Sequence, residues 1–116
     1  MEIRTEKYSI IYDSDKAVVH CNGTLLLNGS KEYEPILQLL NTAAITQKDK
    51  LTIDFCALKF LNSSGINMVT KFIINVFDIE AMEIKLIIKG LETVVWQKKL
   101  LKNLQRLAPD LNTQLD

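Results

Sequence analysis

Asn62-Ser63-Ser64-Gly65 puts an amide, two hydroxyls and a glycine in direct succession. The run Leu51-Thr52-Ile53-Asp54-Phe55-Cys56, which reads as a strand, precedes it after a short linker, and an apolar stretch with helical periodicity, residues 66–79, follows at once. That order places the serines at a helix N-terminus. There, free backbone N–H groups and the positive end of the helix dipole stabilise negative charge. A serine so placed suits receiving or holding a phosphate. Two other uses of the same residues compete. Asn62 or Ser63 caps the helix while Gly65 lets another chain segment approach, or the turn binds an anion such as a nucleotide phosphate without being modified.

Other chemistry is sparse. The only histidine, His20, lies in a strand-like run, where a lone imidazole is more often a packed or edge residue than a base. No Ser-His-Asp, His-Cys or metal-ligand spacing occurs, and the four glycines form no phosphate-binding loop. Cys21 and Cys56 sit in apolar runs and read as buried free thiols. Asp54 alternates with Leu51, Ile53 and Phe55, which leaves it either semi-buried beside the following loop or facing solvent. The expectation is a chain without catalytic residues, cofactor or metal.

The elements that position the turn follow from periodicity. Residues 8–12 and 17–21 read as a strand hairpin around Asp13-Ser14-Asp15-Lys16, and the chain stays extended past Gly23 through Thr24-Leu25-Leu26-Leu27. Tyr33, Ile36, Leu37, Leu39, Leu40, Ala43 and Ala44 recur at helical spacing, with Pro35 expected in the first turn of a helix that starts late. Residues 84–88 form a further strand, and Leu91, Val94, Val95, Leu100, Leu101, Leu104 and Leu107 line a C-terminal amphipathic helix that Pro109 stops. The order is β-β-α-β-α-β-α. It predicts an α/β domain with a mostly parallel four-stranded sheet, the 51–55 strand central and the 8–12 strand antiparallel at an edge. One domain spans residues 1–116, with a core of about 8–107 and a frayed tail over 108–116.

In the 66–79 helix, Asn67, Lys71, Asn75 and Asp78 form one narrow polar arc. The apolar sector is wide enough to reach a neighbouring helix, or for Met68 and Phe72, near the serines, to bury a partner protein. Trp96 reads as packing at the rim of the core.

Fourteen basic and fourteen acidic residues cancel, so no whole-protein field draws in nucleic acid or an anionic membrane. Basic residues cluster locally: Lys85, Lys89, Lys98, Lys99, Lys102 and Arg106 face only Glu92. A charged N-terminal segment and the absence of an apolar run of ~20 residues lead to the expectation of a cytoplasmic protein.

The strand, linker and NSSG turn opening an apolar helix resemble the signature of the STAS family, the anti-sigma factor antagonists and their relatives, which carries D-S-[ST]-G at this place. The β-β-α-β-α-β-α order resembles that family as well. The resemblance implies a non-enzymatic signalling domain in transcription regulation, whose partner is an anti-sigma-type serine kinase or a related signalling protein. It implies phosphorylation at Ser63, with Ser64 second, on a partner surface of Asn62, Ser63, Ser64 and Gly65, to which the apolar sector of the following helix adds Met68 and Phe72; a homodimer stays open. Asn62 stands where the family has aspartate. Gly23-Thr24-Leu25-Leu26 stands where it has G-x-L-D, so Leu26 replaces a second acid. A constitutive scaffold without a switch and a small nucleotide-binding protein are the alternatives.

Overall fold

The computed structural model describes all 116 residues. Strands β1 (Glu2–Arg4), β2 (Tyr8–Asp13) and β3 (Val18–Leu25) precede helix α1 (Gly29–Thr46). Strands β4 (Lys50–Asp54) and β5 (Leu58–Leu61) lead into helix α2 (Ser63–Ile74), which runs on as a π-helical segment, Asn75–Ile79. Strand β6 (Lys85–Gly90), helix α3 (Val95–Leu107) and strand β7 (Asn112–Leu115) complete the chain.

The sheet order is β1-β2-β3-β4-β6-β7, with β5 paired to β3 beyond the end of β4. β1, β2 and β3 are antiparallel; β3 with β4 and β5, β4 with β6, and β6 with β7 are parallel. The expected class and the central, parallel position of β4 are found. Period-two alternation explains why: Val19, Ile53 and Ile88 share one register row and are all buried. Their neighbours His20, Asp54 and Lys89 form the next row on the opposite face. A single cluster of 28 buried apolar residues joins the first face to all three helices, so there is one core.

Seven strands form instead of four. Ile3 pairs with Ile10 and packs on the core, so β1 takes the edge expected for residues 8–12. The linker before the NSSG turn becomes β5 because Leu58 and Leu61 are buried and align with Gly23 and Leu25. The tail is ordered from Asn112. Leu111 is buried, the Asp116 N–H donates to the Gly90 carbonyl at 2.9 Å, and the Lys89 ammonium meets the Asp116 carboxylate at 3.0 Å. α1 begins at Gly29, six residues before Pro35, with the Asn28 N–H donating to Glu32 Oε1 at 3.1 Å. Gly23 allows β3 to pass unbroken: its φ is +91°, and a Cβ there would stand 2.2 Å from the Lys7 carbonyl oxygen.

Candidate functional site

β5 delivers the chain to the helix start. The Asn62 N–H donates to the Leu25 carbonyl at 3.2 Å, extending the β3–β5 pairing to the last residue before α2. Asn62 then caps the helix. Its Oδ1 accepts from the Gly65 N–H at 3.0 Å, and its carbonyl accepts from the Ile66 N–H at 2.9 Å. The same Oδ1 accepts from the Tyr33 hydroxyl of α1 at 2.7 Å, and Nδ2 donates to the Leu27 carbonyl at 2.7 Å. The side chain thus joins α2, α1 and the chain leaving β3. An aspartate could accept the first two bonds but could not make the third. An amide, which both accepts and donates, is the group this junction needs.

The two serines have different surroundings. Ser64 is half-buried, and its Oγ accepts from the Gly29 N–H at 3.3 Å, which ties the starts of α1 and α2 together. Ser63, at the first helical position, is exposed, and its hydroxyl makes no hydrogen bond within the chain. Gly65 is buried, and a Cβ there would stand 2.2 Å from Leu61 Cδ1 and 2.8 Å from Tyr33 Oη. Close packing, not turn geometry, therefore demands the glycine. Burial of Tyr33 also raises its phenol above the ordinary value, so it stays a donor at neutral pH.

A shallow hollow of about 440 Å³ opens beside the serines between α1 and α2, lined in part by Ser30, Glu34, Ser64, Asn67 and Lys71. Met68 lies at its floor, only 5% exposed, and Phe72 is 0% exposed. Both were expected at a partner surface. Both belong to the core, because the wide apolar sector of α2 is taken up by α1 and the sheet. The large apolar side chains open to solvent near this helix start are instead Leu26, Phe60 and Ile66. Leu26, where the STAS pattern has an acid, presents hydrocarbon in place of charge.

No base accompanies Ser63. His20 faces Asp54, Nδ1 to Oδ2 at 3.4 Å, and lies five residues before Leu25 on β3, about 16 Å along the strand at ~3.3 Å per residue. Asp54 also accepts from the Cys56 N–H at 2.8 Å. Burial, with Asp54 adding to it, pushes the Cys21 thiol up to about 12 and the Cys56 thiol up to about 11, so neither is a nucleophile at neutral pH. No group of three or more His, Cys, Asp or Glu side chains comes together as a metal site. No helix is long and apolar enough to cross a membrane.

Sequence periodicity missed one polar residue that holds the site together. Gln97, 1% exposed, donates through Nε2 to the carbonyls of Phe55 (2.7 Å) and Leu58 (3.0 Å) and accepts at Oε1 from the Leu91 N–H (2.7 Å). It fixes the β4–β5 connection against α3. Its only signal in the sequence is a polar residue at a core-facing position of an amphipathic helix.

No protein-family model and no curated protein matches the chain. Solved structures do. A chain in the crystal structure of the diguanylate cyclase SiaD in complex with its activator SiaC from Pseudomonas aeruginosa aligns with a TM-score of 0.71 at 13% identity, covering 100% of this chain and 99% of that one. SiaC of Pseudomonas aeruginosa aligns with a TM-score of 0.67 at 14% identity over 100% and 96%. Apo-SiaC from the same organism aligns at 0.66 and 10% identity over 100% and 99%. At these identities the likeness establishes the fold.

Proposed function

We propose that residues 1–116 form a STAS-like, non-catalytic regulatory domain that acts by binding a signalling protein, and that phosphorylation of Ser63 weakens that binding. One observation carries the switch: Ser63 is the exposed, unbonded hydroxyl between Asn62 and Ser64, whose side chains are both engaged. A kinase can reach Ser63 without dismantling the helix start. The phosphate would add about two negative charges where the dipole of α2 tolerates them, so the fold survives while the docking surface changes. The shared fold with SiaC, described as the activator of a diguanylate cyclase, supports a role exerted through a partner. The STAS resemblance supports an anti-sigma-type serine kinase as that partner and transcription as the output.

A constitutive interaction module is the second reading, favoured by the structural duty of Asn62. A nucleotide site at the same helix start ranks lower, because Lys71 is the only basic residue lining the hollow and Glu34 lines it too.

The test starts with partners cross-linked to the tagged protein in its own cells and identified by mass spectrometry. The affinity of the partner is then measured for wild type, Ser63→Ala, Ser63→Asp and the phosphorylated protein. The switch predicts tight binding for the first two and at least about tenfold weaker binding for the last two. Equal affinities, with no phosphate on Ser63 or Ser64, leave the constitutive module.

A further inference from the structure

The face of α2 that carries Ser63 continues through Ile66 and Thr70, at helical steps of three and four. These residues form one wall of a second hollow, an apolar groove of about 300 Å³ between α2 and α3. Trp96, Lys99 and Leu107 of α3 line the opposite wall, and Phe60 of β5 lines the groove as well. Phe60 is 48% exposed, Ile66 38% and Leu107 46%, so three large apolar side chains meet solvent at one place. Isolated exposed apolar residues are ordinary; a lined groove of them marks a contact surface.

The charge around the groove is one-sided. α3 contains Lys98, Lys99, Lys102 and Arg106 and no acid. Lys98 is neutralised by Glu92 at 2.7 Å, whereas Lys99, Lys102, Arg106 and the nearby Lys59 take part in no ion pair. No acidic residue lines the groove. Trp96 and Leu107 are eleven helical steps apart, about 16 Å at ~1.5 Å per residue, the length of three turns. Two helices that leave such a groove between them present ridges into which a third helix packs.

We propose that this groove receives an amphipathic helix of the partner protein, with an apolar face that covers Phe60, Ile66 and Leu107 and acidic residues that meet Lys99, which lines the groove, and Arg106, two turns further along the same rim of α3. This rests on the reading of the chain as a protein-binding domain and assigns that domain its contact surface and the chemistry of its partner. Ser63 lies one helical turn from Ile66, so a phosphate there would stand at the end of the groove and repel an acidic helix.

Trp96 is the only tryptophan of the chain and reports directly on the groove. The probes are three synthetic 18-residue peptides: a Leu/Glu amphipathic helix, its Leu/Lys counterpart and a scrambled Leu/Glu sequence. The Leu/Glu helix is expected to shift Trp96 emission, to perturb the amide resonances of Phe60, Ile66 and Leu107, and to bind more weakly at high salt. Lys99→Glu with Arg106→Glu should weaken it at least about tenfold and transfer the preference to the Leu/Lys peptide, a gain that only a folded protein can show. No binding of the Leu/Glu helix, equal binding of all three peptides, or resonance changes away from the groove overturns the proposal. Dimerisation of the free protein that Ile66→Glu abolishes makes a second copy the occupant and overturns it too. With the cross-linked partner, loss of affinity in Ser63→Asp but not in Ile66→Glu or Lys99→Glu overturns the groove and keeps the switch. The reverse pattern keeps the groove and removes the switch.

Discussion

The Tyr33 hydroxyl, carried on α1, donates at 2.7 Å to Oδ1 of Asn62, the residue that caps α2. Two helices separated by two strands in the chain are thereby locked at the point where the serines emerge. Asn62 Nδ2 completes the lock on the Leu27 carbonyl. The duty of Asn62 is structural, and Ser63 is left free.

That division predicts very unequal effects for adjacent substitutions. Asn62→Ala removes the cap, at about 0.5–2 kcal/mol, and strands the buried Tyr33 hydroxyl, at about 1–3 kcal/mol more. Asn62→Asp keeps the cap but sets a carboxylate oxygen against the Leu27 carbonyl, so it should also destabilise. Ser63→Ala should change stability by less than about 0.5 kcal/mol. Urea denaturation of the three variants checks the order.

Gly65→Ala should destabilise by about 1–3 kcal/mol, because the added methyl overlaps Leu61 and Tyr33. Adding Tyr33→Phe removes the hydroxyl from the crowded space, and the double variant should lose less than the sum of the two single changes. A double-mutant cycle measures that coupling. Strict additivity would mean that the two side chains do not meet.

Stability should fall as pH rises above 9. The thiols of Cys21 and Cys56 are held up from an ordinary thiol value of 9.0 to about 12 and about 11 in the fold. Between those limits the unfolded chain releases protons that the folded chain keeps, so unfolding becomes easier with each step in pH. The contribution is complete below pH 9 and is lost through pH 11 to 12. Cys21→Ala should flatten the slope of unfolding free energy against pH in that window. At pH 8, both native thiols should react with a disulfide reagent far more slowly than the unfolded chain.

Deleting residues 112–116 should leave β6 as an open edge with unpaired backbone groups. Ile87 to Gly90 would then lack their partners Asn112 to Leu115. Faster amide exchange along β6 and concentration-dependent association by light scattering are expected. An unchanged exchange pattern would show that β7 contributes nothing to the sheet.

What local spacing can encode was legible in the chain. The alternation of Leu51, Ile53 and Phe55 marked the central strand, and the succession of strand, NSSG and apolar periodicity marked a helix start carrying two serines. These depend on repeats of two and of 3.6 residues, which a single segment contains. Contacts between segments are not written in any one of them. Glu2-Ile3-Arg4 and Asn112-Thr113-Gln114-Leu115 are too short and too polar to read as strands, and they become strands because β2 and β6 offer free edges to pair with. Met68 and Phe72 looked available to a partner until α1 packed over them. Asn62 and Ser63 are equally good caps by residue type. The tertiary structure chose between them, since only Asn62 lies where Tyr33 and Leu27 require one group that both accepts and donates.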